Sequence, residues 1–240
     1  MTAEIVVLPT AAAVAEALAD RTATALRAVL AGEPRATLCL TGGSTPEPAY
    51  RRLAAADLDW DRIHLFWTDE RCVPLSHPDS NAAMAMRTLI EPAGVPASNV
   101  HRFQGQLGGA KAARAMEAEL ESFFGDDGAR FDVLHLGMGS DGHVASLFPG
   151  RDALRETERR AVATEAPDGM AVADRVTLTL PVLNAASLAL LAATGDGKRA
   201  AFSEVLDAEP GDGPPAARLG PLGDLVWLVD RALAQGTEAG

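Results

Sequence analysis

The chain has 240 residues, 48% of them apolar, which is enough for one large α/β domain with a continuous core; residues 1–240 read as one such domain. Its 33 acidic side chains against 21 basic ones give a net charge of −12, which argues against broad electrostatic binding to nucleic acid or an anionic membrane. The start, MTAEIVVLPT, lacks the basic and long apolar regions of a signal peptide, and no apolar run approaches the ~20 residues that span a bilayer, so a cytoplasmic protein is the simplest expectation.

In chain order, short runs rich in Val, Leu and Ile predict strands at Ile5–Leu8, Thr37–Leu40, Ile63–Trp67, Val133–Leu136, Leu188–Ala193 and Leu225–Val229. Helical spacing fills most intervals, as at Ala11–Leu30, Glu47–Leu53, Asn81–Ile90, Ala110–Phe124 and Arg199–Leu206. The strand runs do not alternate, which suits strands buried on both faces in a mainly parallel, doubly wound α/β sheet. The less regular stretch Arg151–Pro181 adds strand candidates Ala161–Glu165 and Val176–Leu180, at a sheet edge or in a small satellite sheet. Glu209–Pro221, dense in Pro and Gly, reads as a mobile loop. Of the two cysteines, Cys39 reads as a core hydrophobe; Cys72, beside Arg71 in a loop, reads as inert before reactive.

In open α/β sheets ligands sit beyond the carboxyl ends of the strands, so the residues leaving each run matter most. After Leu40 comes Thr41-Gly42-Gly43-Ser44-Thr45-Pro46, in which Ser44 or Thr45 can cap the next helix and Pro46 fits its first turn. The loop suits an anion site at a helix start, and equally an ordinary capped glycine turn. After Trp67 comes Thr68-Asp69-Glu70-Arg71; taken alone, such charges read as solvated before they read as a site.

The third exit, Gly137-Met138-Gly139-Ser140-Asp141-Gly142-His143, formally contains G-x-G-x-x-G, but Pro149-Gly150 interrupts the chain where a dinucleotide fingerprint needs a crossover helix. What remains is a carboxylate two residues from a histidine on a glycine-rich turn. Asp141 bonded to one ring nitrogen fixes the tautomer of His143, leaving the other nitrogen to accept a proton, and this position favours catalysis over a structural histidine. His64 and His135 lie in apolar strands and read as packing residues. His77 and His101 have no carboxylate partner evident along the sequence, and no histidine pair has metal-ligand spacing on a helix. After Ala193, Thr194-Gly195-Asp196-Gly197-Lys198 opens a helix. Lysine in a first helical turn opposes the helix dipole, and a bound phosphate would reverse that sign. Arg175 suits either the same crevice or a surface salt bridge.

These stretches, in this order, resemble the 6-phosphogluconolactonase branch of the glucosamine-6-phosphate isomerase/deaminase superfamily along nearly the whole chain. The resemblance rests on Gly42 to Pro46, on Trp67 to Arg71 through His77-Pro78 to Ser80-Asn81, and on Gly137 to His143 through Ser146-Leu147-Phe148-Pro149. It continues with Arg175 through Leu180-Pro181 and Asn184, with Gly197-Lys198, and with Val226-Trp227 and Asp230. Departures are small: Thr41, Ser140 and Val144 stand where serine, proline and threonine are common.

The resemblance implies a Rossmann-like three-layer sandwich and hydrolysis of 6-phospho-D-glucono-1,5-lactone in the oxidative pentose phosphate pathway. It makes His143 the acid/base group beside Asp141, with Gly42, Gly43, Ser44, Thr45, Asp69, Arg71, Arg175 and Lys198 at the phosphate or the sugar. No cofactor or metal is expected, and the protein should be a monomer or small homo-oligomer. Two rivals stand beside this reading. The sister activity, isomerisation and deamination of glucosamine 6-phosphate, uses a glutamate five residues after the histidine, where this chain has Phe148, and usually a tyrosine in place of Arg71. A sugar-phosphate sensor of the same fold is expected to carry a DNA-binding segment before the first strand, whereas the first strand here is expected at Ile5.

Overall fold

A computed structural model describes residues 3–125, 128–209 and 212–237. Six strands, β1 Glu4–Leu8, β2 Ala36–Leu40, β3 Ile63–Trp67, β5 Val133–Gly137, β8 Leu188–Ala193 and β9 Asp224–Asp230, form one parallel sheet in the order β1-β9-β8-β5-β2-β3. All six were legible as apolar runs, the inner ones because both faces of the sheet are covered there: every residue of β2 is buried, whereas those of the edge strand β1 are exposed or half-buried. A second, antiparallel sheet joins β4 Asp69–Arg71, β6 Ala161–Glu165 and β7 Asp174–Leu178 in the order β4-β7-β6. It is the expected satellite sheet, with one strand more than expected.

Helix α1 Ala11–Leu30 opens on Thr10, whose Oγ1 accepts from Ala13 N at 3.2 Å. Val14, Leu18, Thr22 and Leu26, spaced one turn apart, are fully buried, and each of the two leucines contributes about 1.5–3 kcal/mol of burial. Next come α2 Pro46–Ala54 and α3 Asn81–Ala85. The latter continues through a π turn at Met86–Ile90 into α4 Glu91–Ala93, where a single α-helix was expected. Pro92 has no N–H for the Thr88 carbonyl and its ring crowds that turn, which widens it. Then follow α5 Gly109–Phe124, α6 Leu180–Leu183, α7 Arg199–Asp207 and α8 Arg231–Ala234.

Two further expectations need correction. The strand expected at Val176–Leu180 ends at Leu178, where Thr179 leaves the sheet as the N-cap residue of α6 and Pro181, which has no N–H to give a ladder, fits the first turn of that helix. Part of the loop expected to be mobile is packed, residues 210 and 211 lying outside the described residues: Pro215 and Ala216 are buried in a 3₁₀ turn, while Glu209, Asp212 and Gly213 are exposed. The Ala216 amide donates to Gly142 O at 2.9 Å, so this segment braces the Asp141–His143 turn.

From β2 the chain moves outward to β3, then returns to place β5 on the other side of β2. The loops leaving β2 and β5 therefore diverge, opening a crevice between them at the carboxyl ends of the strands. The satellite sheet stands beside that crevice, since β4 follows β3 after one residue and its Leu178 partner strand is tied back by Leu178 N to Thr68 O at 2.8 Å.

Candidate active site

A cavity of about 280 Å³ fills this crevice. Gly42, Gly43, Ser44, Thr45, Asp69, Arg71, His143, Arg175 and Lys198 all line it, so residues 156 positions apart in the chain meet at one place. Asp141 stands just behind His143. A larger hollow of about 380 Å³ lies at the amino ends of β1, β8 and β9, but its Arg21 is already paired with Glu4 at 2.9 Å.

The Asp141–His143 turn is built by close contact. His143 Nδ1 lies 2.5 Å from Asp141 Oδ1, and the same oxygen accepts from the His143 amide at 3.2 Å. An ionised carboxylate only accepts, so Nδ1 carries the proton and Nε2 of the neutral ring is the bare nitrogen. A Cβ at Gly139 would fall 2.2 Å from both Cε1 and Nδ1 of His143 and 2.7 Å from Asp141 Oδ1, so only glycine lets the pair fold over this turn. Phe148 packs on the other side of the imidazole, with ring centroids 4.6 Å apart.

The glycine loop after β2 is anchored from below. The buried Tyr50 hydroxyl accepts from Thr41 N and donates to Thr41 O, both at 2.9 Å. Burial holds its pKa well above the usual phenol range. A Cβ at Gly42 would meet Asn81 Oδ1 at 1.8 Å, so the loop lies directly on the Asn81 side chain. Thr45 occupies the N-cap position of α2 but makes no capping bond, contrary to expectation. Its backbone is helical, which takes the hydroxyl out of reach of the helix amides, and Oγ1 instead lies 3.3 Å from Thr194 Oγ1 across the crevice.

Arg71 and Arg175 face each other in register across β4 and β7. Arg175 is buried rather than in a surface salt bridge, with Nε donating to Val172 O at 2.9 Å. Burial, and then the Arg71 charge, lower its pKa. Arg71 donates to Asp79 O, and its buried Nε has no partner among the described residues. Lys198, at the start of α7, has its pKa lowered by burial, while Asp230 acts in the opposite sense. Among the described residues none of these three cations has a carboxylate within 4.0 Å. Three cations that form no ion pair outnumber Asp69, the one carboxylate among the described lining residues, and make a basic recess in an acidic protein that is suited to an anion. Asp69 is held differently: Oδ2 accepts from Ser146 Oγ at 2.6 Å, and Asn81 Nδ2 donates to its carbonyl at 3.0 Å.

The remaining candidates fall away from the crevice. His135 is fully buried against Thr22 Oγ1 at 2.7 Å. His101 does have a carboxylate partner, Glu119 Oε1 at 2.6 Å, which α5 brings from 18 residues away, and its other nitrogen meets His64 Nδ1 at 2.9 Å. His77 Nδ1 lies 3.8 Å from Asp79 Oδ2. Cys72 is half-buried and its thiol is pushed up to about 11, by burial first and then by Asp174 and Glu70, which makes it unreactive. Among the described residues no group of three or more His, Cys, Asp or Glu could hold a metal ion, and no helix is long and apolar enough to cross a membrane.

Sequence reasoning placed Asn81 and Ser146 in shared motifs without giving them work. Met170, at the tip of the β6–β7 hairpin, also lines the cavity and had no signal at all, since a hairpin tip reaches a distant crevice only through tertiary packing.

Fold and cavity together define a doubly wound α/β protein with a basic, histidine-bearing cleft at its topological switch point. Residues 9–227 match the model of the family described as glucosamine-6-phosphate isomerases/6-phosphogluconolactonase, and the chain belongs to that family. It is 38% identical over 231 residues to the 6-phosphogluconolactonase of Nostoc sp., covering 94% of this chain and 95% of that one. To the human 6-phosphogluconolactonase it is 37% identical, covering 93% of this chain and 88% of the relative. The crystal structure of 6-phosphogluconolactonase from Thermotoga maritima superposes with a TM-score of 0.84 at 31% identity, covering 96% of this chain and all of that one.

Proposed function

We propose that this protein is a 6-phosphogluconolactonase, hydrolysing 6-phospho-D-glucono-1,5-lactone to 6-phospho-D-gluconate in the oxidative pentose phosphate pathway. The observation that carries this reading is the meeting, in one cavity, of an aspartate-oriented histidine and three cations that form no ion pair among the described residues. The name shared by its relatives supports the same substrate.

In this mechanism Nε2 of His143 takes a proton from water as the water oxygen attacks the lactone carbonyl carbon. The tetrahedral intermediate collapses with cleavage of the bond to the ring oxygen, and the imidazolium returns the proton to that oxygen. Asp141 holds the tautomer and stabilises the transient imidazolium. Arg71, Arg175, Lys198 and the Gly42–Thr45 loop hold the phosphate and sugar chain, and so orient the reacting carbon. Asp69 would repel phosphate and belongs on the hydroxyl side of the sugar. Phe148 supports the lactonase over the sister deaminase, because it fills with a ring the position where that reaction uses a carboxylate.

Hydrolysis of freshly prepared lactone, with the spontaneous rate subtracted, tests the reading. Rapid turnover by the wild type that is lost in a folded His143→Ala variant is the expected result. Absent wild-type turnover would overturn the substrate, and full activity of the variant would overturn the base. The reaction needs no metal or cofactor in this reading, so exhaustive chelation is expected to leave the rate unchanged; activity lost and restored only by added metal would refute that part. The enzyme acts in the cytoplasm on this reading.

A further inference from the structure

Glu70 does not line the cavity, yet it is among the most completely bonded side chains in the molecule. In the three-residue strand β4, Asp69 and Arg71 face the crevice, so Glu70 between them points behind its wall. It is 3% exposed. Oε1 accepts from the amides of Arg71 at 2.7 Å and Asn81 at 2.8 Å, while Oε2 accepts from Ser80 Oγ at 2.9 Å and the Ala82 amide at 2.8 Å. Four donors converge on one carboxylate, matching its acceptor capacity when ionised.

The two ends of this clamp hold site residues. One end fixes the backbone of Arg71, whose guanidinium in turn donates to Asp79 O, closing the loop between β4 and α3 on itself. The other end fixes the start of α3 and with it Asn81, which bonds the Asp69 carbonyl and carries the glycine loop on its side chain. We propose that Glu70 is a positioning residue for substrate binding: its ionised carboxylate sets Arg71 and, through Asn81, the Gly42–Thr45 loop at the spacing that receives the phosphorylated sugar. This proposal rests on the lactonase reading for the identity of the ligand.

Glu70→Gln keeps the size but turns one acceptor into a donor facing N–H groups. The lactone KM and the Kd for 6-phosphogluconate are both expected to rise about tenfold or more, with kcat falling less than about threefold. Glu70→Asp, which restores the charge on a shorter stem, is expected to recover part of that affinity. A variant that melts earlier but binds with wild-type KM and Kd well below its melting temperature would show a merely structural role, and a loss confined to kcat would place Glu70 in the chemistry; either overturns the proposal. Should Glu70→Gln not fold, Ser80→Ala removes one of the four donors. A two- to threefold rise in KM is then expected, about the effect of loosening one contact, and an unchanged KM overturns the proposal. If the wild type does not hydrolyse the lactone, the substrate assignment alone has failed. Inorganic phosphate is then the probe, and equal phosphate affinity in wild type and Glu70→Gln (or, where that variant does not fold, Ser80→Ala) overturns the role of Glu70.

Discussion

At the scale of single residues, orientation of the imidazole is the property most open to test. Asp141 can only accept at His143 Nδ1, whereas asparagine offers that nitrogen either an oxygen or an NH₂ group. Asp141→Asn is expected to lower kcat by ~10²- to 10⁴-fold, with melting temperature little changed because the side chain is about a third exposed. A loss under fivefold in the same lactone assay would remove Asp141 from the mechanism. Lys198 has no carboxylate within ion-pair distance in the described structure and sits against the positive end of α7, so truncating it costs the fold little while weakening the ligand. Lys198→Ala is expected to raise KM by about tenfold or more with melting unaltered, and an unchanged KM would exclude it from the binding set.

At the scale of elements, the site depends on how the end of β2 is tied to α2. Removing the Tyr50 hydroxyl leaves a buried amide and a buried carbonyl of Thr41 unpaired, which costs about 1–3 kcal/mol. Tyr50→Phe is therefore expected to lower the denaturation midpoint accordingly and also to raise KM, since the glycine loop starts at that residue; stability lost with KM preserved would confine Tyr50 to folding. The parallel strands were legible as continuous apolar runs, which burial on both faces explains for the inner strands and partial burial for the edge strand β1. Strand β4 was not, because Asp69-Glu70-Arg71 carries three charges and pairs only through β7, which lies about a hundred residues later. The hydrogen bond between His101 and Glu119 was hidden for the same reason: it exists only once α5 lies beside β3.

At the scale of the whole molecule, His135 couples stability to pH. Thr22 Oγ1 already donates to Leu18 O at 2.6 Å, so it accepts from Nε2–H of His135, and Nδ1 is left bare without a partner among the described residues. A second proton would be buried and unbonded, and burial lowers the pKa of this histidine to about 3. The unfolded chain binds that proton near pH 6.5, so the native state is favoured above this value and loses up to about 1.4 kcal/mol per pH unit from His135 between pH 6.5 and about 3. Urea unfolding across pH 7 to 5 should show that acid-side decline. Nitrogen NMR should find His135 still neutral and protonated at Nε2 at pH 5, whereas titration near 6.5 in the native state would contradict the assignment.

The sequence by itself determined where the parallel strands lie along the chain, the long helices and the turns that carry Gly42, Asp141, His143 and Lys198, but not the order of the strands in the sheet. Apolar burial, helix periodicity and glycine punctuation are local properties, readable residue by residue. Tertiary structure alone decided which turns face one another, that Arg175 is buried opposite Arg71, that Thr45 does not cap its helix, and that Glu70 clamps two walls of the cleft. Those relations depend on how elements pack: Arg71 and Arg175 meet only through the β4–β7 pair, and even Glu70, whose donors lie within 12 residues, reaches them only because α3 folds back against β4.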